Sequence, residues 1–279
     1  MINPPRSLIG MNMKTNKYQK TVLVTGGLGF IGSAFLRKYV PLHPEWQFIN
    51  LDDHREGSHE KSVKDVEKLP NYRFEKCALE DEKKVIFTMI KHGITDVFHF
   101  AADSNVDHSI KDPIHTVYSN VCGTVNLLEG VRAVTTLNEN FNRFVYVSTD
   151  EVYGPVFDQR ESVFHDGGVL ESDPLNPTNP YSASKAAAEH LVMSYKNTYG
   201  IDVIITRGTN TFGLWQNITK LIPRSVNLLK EGNKVELYGK GEARREWMHV
   251  DSHVDGIYTA WTKGESGQTY NIGTNVEFS

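Results

Sequence analysis

Short apolar runs alternate with longer segments of helical periodicity along most of the chain, and that alternation predicts strands of a parallel sheet joined by helices. Thr21–Thr25, Gln47–Leu51, Tyr72–Lys76, Asp96–Ala102, Phe144–Val147 and Ile201–Thr206 read as the strands. Their largely apolar character suits a sheet covered on both faces. Ser33–Val40, Val85–His92 and Tyr181–Tyr199 read as helices, as does Pro113–Arg132, whose apolar stripe runs through Val117, Val121, Val125 and Leu128. The expected fold class is α/β, a doubly wound parallel sheet over residues 21–207. From Gly208 onward short turns, aromatic residues and scattered charges replace the alternation, so residues 208–279 are expected to form a smaller C-terminal lobe. Residues 1–20, with Asn3, Pro4, Pro5 and Asn16, read as a loose N-terminal extension, and Gly154–Asn179 as a long loop.

The first strand runs directly into Gly26-Gly27-Leu28-Gly29-Phe30-Ile31-Gly32, with glycines at G-x-x-G-x-x-G spacing. Such a turn lets the backbone approach a pyrophosphate, which the N-terminus of the next helix then holds. A glycine turn alone is weak evidence, because an ordinary tight turn has the same residues. The second strand, however, ends in Asp52-Asp53, about twenty residues after Gly32, where an acid receives the ribose hydroxyls of a dinucleotide. Together the two features make a Rossmann-type signature for residues 21–207. An acid at that position favours NAD over NADP, since it repels a 2′-phosphate. Arg55 stands close by but reads, like His54 and His59, as a solvated loop residue. Asp81 is placed to meet the adenine amino group or to cap the helix that follows, two compatible roles. Ala101 and Ala102 end the fourth strand with small side chains where a cofactor passes, and His99 reads as a core histidine.

The candidate chemistry sits in Val147–Gly154 and in Tyr181-Ser182-Ala183-Ser184-Lys185. The strand at Phe144–Val147 delivers Thr149, Asp150 and Glu151 to its carboxyl end, which is where open α/β sheets bind ligands. A hydroxyl, two adjacent acids and a Tyr four residues before a Lys supply acid, base and redox-assisting groups in one place. In the C-terminal lobe Asn210, Lys220, Arg224, Arg244 and Arg245 offer amide and cationic groups suited to a diphosphate, though each alone is equally a solvated surface residue.

Composition narrows the partners. A net charge of -4 with acids and bases interspersed carries no polyanion-binding signature, so no nucleic acid is expected. No apolar run of roughly 18 residues occurs, so no membrane span is expected. Cys77 and Cys122 are far apart and read as small buried side chains, which suits a cytoplasmic location. No Cys, His and acid set shows metal-ligand spacing, and no metal is expected.

With these pieces placed, the chain resembles the extended short-chain dehydrogenase/reductase superfamily and, within it, the nucleoside-diphosphate-glucose 4,6-dehydratases. The resemblance is carried by Thr25–Gly32, His99–Asp107, Ser148–Gly154, Pro180–Lys185, Lys220–Pro223 and Tyr270–Gly273. It implies NAD as cofactor, a nucleoside-diphosphate glucose as substrate, and formation of a 4-keto-6-deoxy sugar nucleotide in deoxysugar (rhamnose-type) biosynthesis. Carried over residue by residue, it implies Thr149, Asp150, Glu151, Tyr181 and Lys185 as catalytic residues. Tyr181, its phenol pKa lowered by Lys185 and by nicotinamide, would take the O4 proton; Thr149 would hold O4; Glu151 would take the C5 proton and Asp150 protonate the departing O6. Gly26, Gly29, Phe30, Ile31, Asp52, Asp81 and Ala101, with Tyr181 and Lys185, would contact the cofactor, and Asn210, Lys220 and Arg245, with Thr149, the substrate. The resemblance also implies a homodimer through the 113–132 and 181–199 helices, and a substrate-binding lobe at 208–279 that is incomplete at its C-terminus. The alternative within the superfamily is a sugar-nucleotide 4-epimerase or decarboxylase, in which the Asp150-Glu151 pair has no use. A cofactor-binding regulator is the non-enzymatic alternative, which the intact Thr149, Tyr181 and Lys185 set disfavours.

Overall fold

The protein is described here by a computed structural model covering residues 17–55, 57–137, 140–154, 168–235 and 244–278. Most of the expected N-terminal extension and the first half of the loop after Gly154 lie outside these residues. In chain order the strands are β1 (Lys20–Thr25), β2 (Trp46–Asp52), β3 (Tyr72–Lys76), β4 (Asp96–His99), β5 (Arg143–Thr149), β6 (Val203–Gly208), β7 (Asn210–Phe212), β8 (Arg245–His249), β9 (Thr269–Ile272) and β10 (Glu277–Phe278). The helices are α1 (Phe30–Leu42), α2 (Glu82–His92), α3 (Val106–Lys111), α4 (Pro113–Val117), α5 (Gly123–Leu137), α6 (Pro180–Tyr199), α7 (Leu221–Lys230) and α8 (Val250–Lys263).

Seven strands form one parallel sheet in the order β3-β2-β1-β4-β5-β6-β9, and β10-β8-β7 form a small mixed one. The strand order reverses between β1 and β4, which opens a crevice at their carboxyl ends, the ligand position of this topology. Two apolar layers sandwich the large sheet. One packs Phe35, Leu36, Val254, Ile257 and Trp261 of α1 and α8 against it; the other packs Val85, Met89, Leu127, Val131 and Val192 of α2, α5 and α6. This is the Rossmann-type architecture expected. Beyond Gly208 the chain serves both sheets: β7, β8 and β10 make the small one, while α8 and β9 return to the large one.

Among the differences from the sequence expectation, β4 ends at His99, so Ala101 and Ala102 lie beyond the strand rather than ending it, and the Ala101 amide turns to Thr25 Oγ1. The helix expected over Pro113–Arg132 is α4, a π-helical turn at Tyr118–Cys122, and α5, which extends to Leu137. The wider turn buries Asn120 at 2 % exposure, in keeping with the functional use of such turns. The strand expected at Ile201–Thr206 begins two residues later. Gly200 closes α6 at φ 72°, and Asp202 is taken by Arg143 in a two-bond pair at 2.7 and 3.1 Å.

Arg207 of β6 and Glu189 of α6 form a buried ion pair, Nη2 to Oε2 2.7 Å, with side chains 7 % and 3 % exposed. Arg207 also donates to the Tyr153 hydroxyl at 2.6 Å and the Glu171 carbonyl at 3.1 Å. Removing one partner strands the other charge in a dry site, which costs about 3–5 kcal/mol. Glu189→Ala is therefore expected to lose about that much stability by urea denaturation; a loss under about 1 kcal/mol would show that solvent already screens the pair.

Candidate active site

Gly26 leaves β1 at φ 67°, and a Cβ there would lie 2.7 Å from the backbone of Ala101. A Cβ on Gly32 would lie 2.3 Å from the Gly26 carbonyl oxygen. The glycines thus bring the ends of β1 and β4 and the start of α1 into contact that a side chain would prevent. Gly29 is the N-cap of α1, with no side chain capping it and no acid in the first turn, so the amides of Phe30 and Ile31 present a positive helix end to an anion. Asp52 is 6 % exposed at the end of β2. Its carboxylate accepts from Leu28 N at 3.0 Å and from His54 N at 2.9 Å, and so fastens the glycine turn to the next loop.

Arg55 is not the solvated residue the sequence suggests. Its guanidinium makes two bonds to Glu80, at 2.9 and 2.6 Å, pairs with Asp53, and donates to Ser119 at 3.0 Å. Held by two carboxylates, it is committed elsewhere than to a 2′-phosphate. Asp81 caps α2 by accepting from Lys84 N at 3.1 Å, the capping role expected of it. Ala101 lies across the turn from Gly26, its amide donating to Thr25 Oγ1 at 3.2 Å. His99 is a core residue between Thr25 Oγ1 at 2.7 Å and Thr124 Oγ1 at 3.0 Å. A tight glycine turn, an uncapped helix end and a buried acid fit a dinucleotide, which Gly26, Gly29, Phe30, Ile31 and Asp52 could hold.

At the end of β5, Thr149 Oγ1 caps a short 3₁₀ turn, accepting from Glu151 N at 3.3 Å and donating to Asp150 Oδ1 at 3.2 Å. Burial, then the charge of Glu151 next to it, pushes the Asp150 carboxyl up to about 6, against the pull of the Thr149 hydroxyl. Opposite stands the start of α6, where Pro180 occupies the first turn and Asn179 and Ser182 form a reciprocal capping box. Asn179 Nδ2 also reaches Glu151 Oε2 at 3.4 Å. Four residues apart on the helix, Tyr181 and Lys185 share a face. Both are buried, at 8 % and 3 % exposure.

The resemblance implies a Tyr181 phenol brought down by Lys185 together with bound nicotinamide; in the protein alone the balance at Tyr181 runs upward. Burial, then the charges of Glu151 and Asp150, raises its phenol pKa well above the ordinary value, and only its hydrogen bond with Thr149 opposes them appreciably. The reason is visible at Lys185, whose amine donates to the Val147 carbonyl at 2.7 Å and sits 4.2 Å from the Tyr146 ring centre. Burial pulls that amine down to about 7, with Glu189 pulling the other way.

In the lobe, Asn210 opens β7 and Arg245 opens β8, and the pairing of Asn210 with Trp247 brings them onto one small sheet. Arg245 is exposed, with Nη1 on the Arg244 carbonyl at 2.8 Å. Lys220 is exposed at the N-cap of α7. Three residues near the site escaped the sequence reading. Asn179 holds Glu151, Ser109 Oγ accepts from Tyr181 N at 3.1 Å, and Asn120 Nδ2 donates to Ser184 Oγ at 2.9 Å. Asn179 had a signal, since Asn-Pro-x-Ser is a capping pattern.

Fold and site together define a Rossmann enzyme with a Thr–Tyr–Lys set facing two acids. The chain belongs to the NAD dependent epimerase/dehydratase family, whose model matches residues 22–273. It is 40 % identical over 260 residues to a dTDP-glucose 4,6-dehydratase of Haemophilus influenzae, covering 92 % of this chain and 75 % of that one. The crystal structure of a dTDP-glucose 4,6-dehydratase from Streptomyces venezuelae, with NAD bound, superposes with a TM-score of 0.83 at 37 % identity, covering 92 % of this chain and 77 % of that one. A Bacillus anthracis dTDP-glucose 4,6-dehydratase in complex with NAD gives 0.82 at 36 %, covering 93 % and 77 %.

Proposed function

We propose that the protein catalyses NAD-dependent dehydration of a nucleoside-diphosphate glucose, dTDP-glucose in preference to UDP-glucose, to the 4-keto-6-deoxy sugar nucleotide. The observation that carries this is the pair Asp150 and Glu151 directly after β5, with Glu151 reached at 3.4 Å by Asn179 at the head of the helix that carries Tyr181 and Lys185. Bound NAD supplies the acceptor for the C4 hydrogen, its later return to C6, and a positive charge beside Tyr181 that favours the phenolate. Tyr181 takes the O4 proton while Thr149 holds that oxygen. The C4 ketone acidifies C5–H, Glu151 removes that proton, Asp150 gives one to the O6 hydroxyl as it leaves as water, and Glu151 returns a proton to C5 when hydride is added at C6. Asn210, Lys220 and Arg245 are the proposed diphosphate and sugar contacts. A 4-epimerase, the alternative, uses neither acid. Incubation with NAD and dTDP-glucose is expected to give a ketone-bearing product lighter by one water; an isobaric sugar nucleotide epimerised at C4 would overturn the assignment.

The raised pKa of Asp150 gives the reaction a pH signature. The carboxyl gives its proton only while protonated, so the elimination slows as pH rises through about 6. In Asp150→Asn that descending limb should disappear from the kcat profile. A limb unchanged in the variant would assign the proton donor elsewhere.

A homodimer through the 113–132 and 181–199 helices is the proposed assembly. Ile110, Ile114, Val117 and Tyr118 support it, for they stand 61 %, 78 %, 44 % and 58 % exposed around the first of these helices, a large apolar patch for a surface. Sedimentation velocity should give a dimer that Ile114→Glu converts to monomers; a monomeric parent protein would reject it. Cys77 and Cys122 are free thiols, which supports a reducing, cytoplasmic setting. No helix among the described residues is long and apolar enough to cross a membrane.

A further inference from the structure

Beside the catalytic crevice, where the chain leaves β4 and turns through α3 into α4, two histidines converge on one carboxylate. Asp103 Oδ2 lies 2.8 Å from His108 Nδ1 and 3.4 Å from His115 Nδ1, and it accepts the Thr116 hydroxyl at 2.7 Å. The three potential ligand atoms all lie within 4.8 Å of one another. We propose that Asp103, His108 and His115 form a binding site for a divalent transition ion of the Zn²⁺ type, with a fourth position open to water.

The donor set is that of open zinc sites, which take three protein ligands from imidazoles and carboxylates. Bonds of about 2.0–2.1 Å in a tetrahedron place neighbouring ligand atoms about 3.3 Å apart. The 3.4 Å separation already matches this, and the 2.8 Å one has to open by about half an ångström. Access is direct, since the histidine side chains are 43 % and 42 % exposed while Asp103 is 12 % exposed.

The scaffold is fixed in the way that supports metal ligands. Asp103 is clamped by Asn120, which accepts its N–H at 2.7 Å and donates to its carbonyl at 3.0 Å. The backbone of His108 is capped by Asn105 at 3.1 Å and that of His115 by Asp112 at 3.0 Å. For an ion to enter, each Nδ1 has to offer a lone pair. In the neutral imidazole this moves the proton to Nε2, while the Asp103 carboxylate keeps the Thr116 hydroxyl as its donor. The sequence reading expects no metal; the three ligands meet where Pro113 starts a new helix straight after α3.

The test is Zn²⁺ titration of the chelator-stripped full chain against a chromophoric competitor, with metal content measured after gel filtration. One ion per chain is expected, together with a rise in melting temperature. His108→Gln and His115→Gln should each weaken binding by at least ~100-fold, since even outer-shell changes cost 10–100-fold. Both should also abolish the thermal shift while melting normally without metal. With Co²⁺ as probe, the wild type should show the absorption of a low-symmetry, four-coordinate site. No binding, or binding of equal strength in both variants, would overturn the proposal, the latter placing the ion on other histidines.

Discussion

Tyr181→Phe is expected to lower kcat by ~10²–10⁴-fold, the usual contribution of a positioned proton-transfer group, while NAD affinity and folding stay close to normal. The change removes one oxygen and leaves the ring in its site, 8 % exposed in the parent protein. The backbone anchor, Tyr181 N to Ser109 Oγ, is untouched. What disappears is the group beside Thr149 that can take the O4 proton. Lys185 cannot replace it, because its amine is turned to the Val147 carbonyl. Steady-state kinetics, with cofactor binding by fluorescence titration and melting temperature as controls, reads the effect. A kcat within threefold of the parent would remove Tyr181 from the proposed mechanism.

Glu151→Gln should cost a comparable ~10²–10⁴-fold in product formation, but at a different step. The amide keeps the shape of the side chain and can still accept the Asn179 amide that now meets Oε2 at 3.4 Å. It is too weak a base to take a proton from C5. Oxidation at C4 should survive and proton removal from C5 should not. Run in deuterium oxide, the parent enzyme should yield product labelled at C5, whereas the variant should return unlabelled substrate. Dehydration at the parent rate in Glu151→Gln would show that another base acts.

The parts of the site that were legible in the sequence are those written in local spacing. Gly26, Gly29 and Gly32 announce the turn because its backbone admits no side chain, and Asp52 follows from strand length alone. Tyr181 and Lys185 are one helical turn apart whatever surrounds them. What escaped depends on contacts between distant positions. Asn120 reaches Asp103 and Ser184 only because the π-helical turn rotates it inward, and no periodicity argument anticipates that turn. Arg55 looked solvated because Glu80 and Ser119, which hold it, lie 25 and 64 residues away in the chain. At Tyr181 too the deciding contact is distant: Lys185 is near in sequence, but its amine is turned to a carbonyl of β5. The small strands β7, β8 and β10 carry too few residues for an alternation to be recognised.

The return of the chain to the large sheet has a consequence for how the molecule is assembled. β9 pairs with β6 through Ile205–Thr269 to Gly208–Ile272, so the sheet gains its last strand only after a detour of about 60 residues, whose closure has an entropic cost. High-separation pairings of this kind slow folding. Until β9 docks, the outer edge of β6, the strand that carries Arg207, presents unpaired amides and carbonyls, an open template for another chain. The interval between synthesis of β6 and arrival of β9 is accordingly a time at which a folding chain is exposed to misassociation, and the docking of β9 ends it.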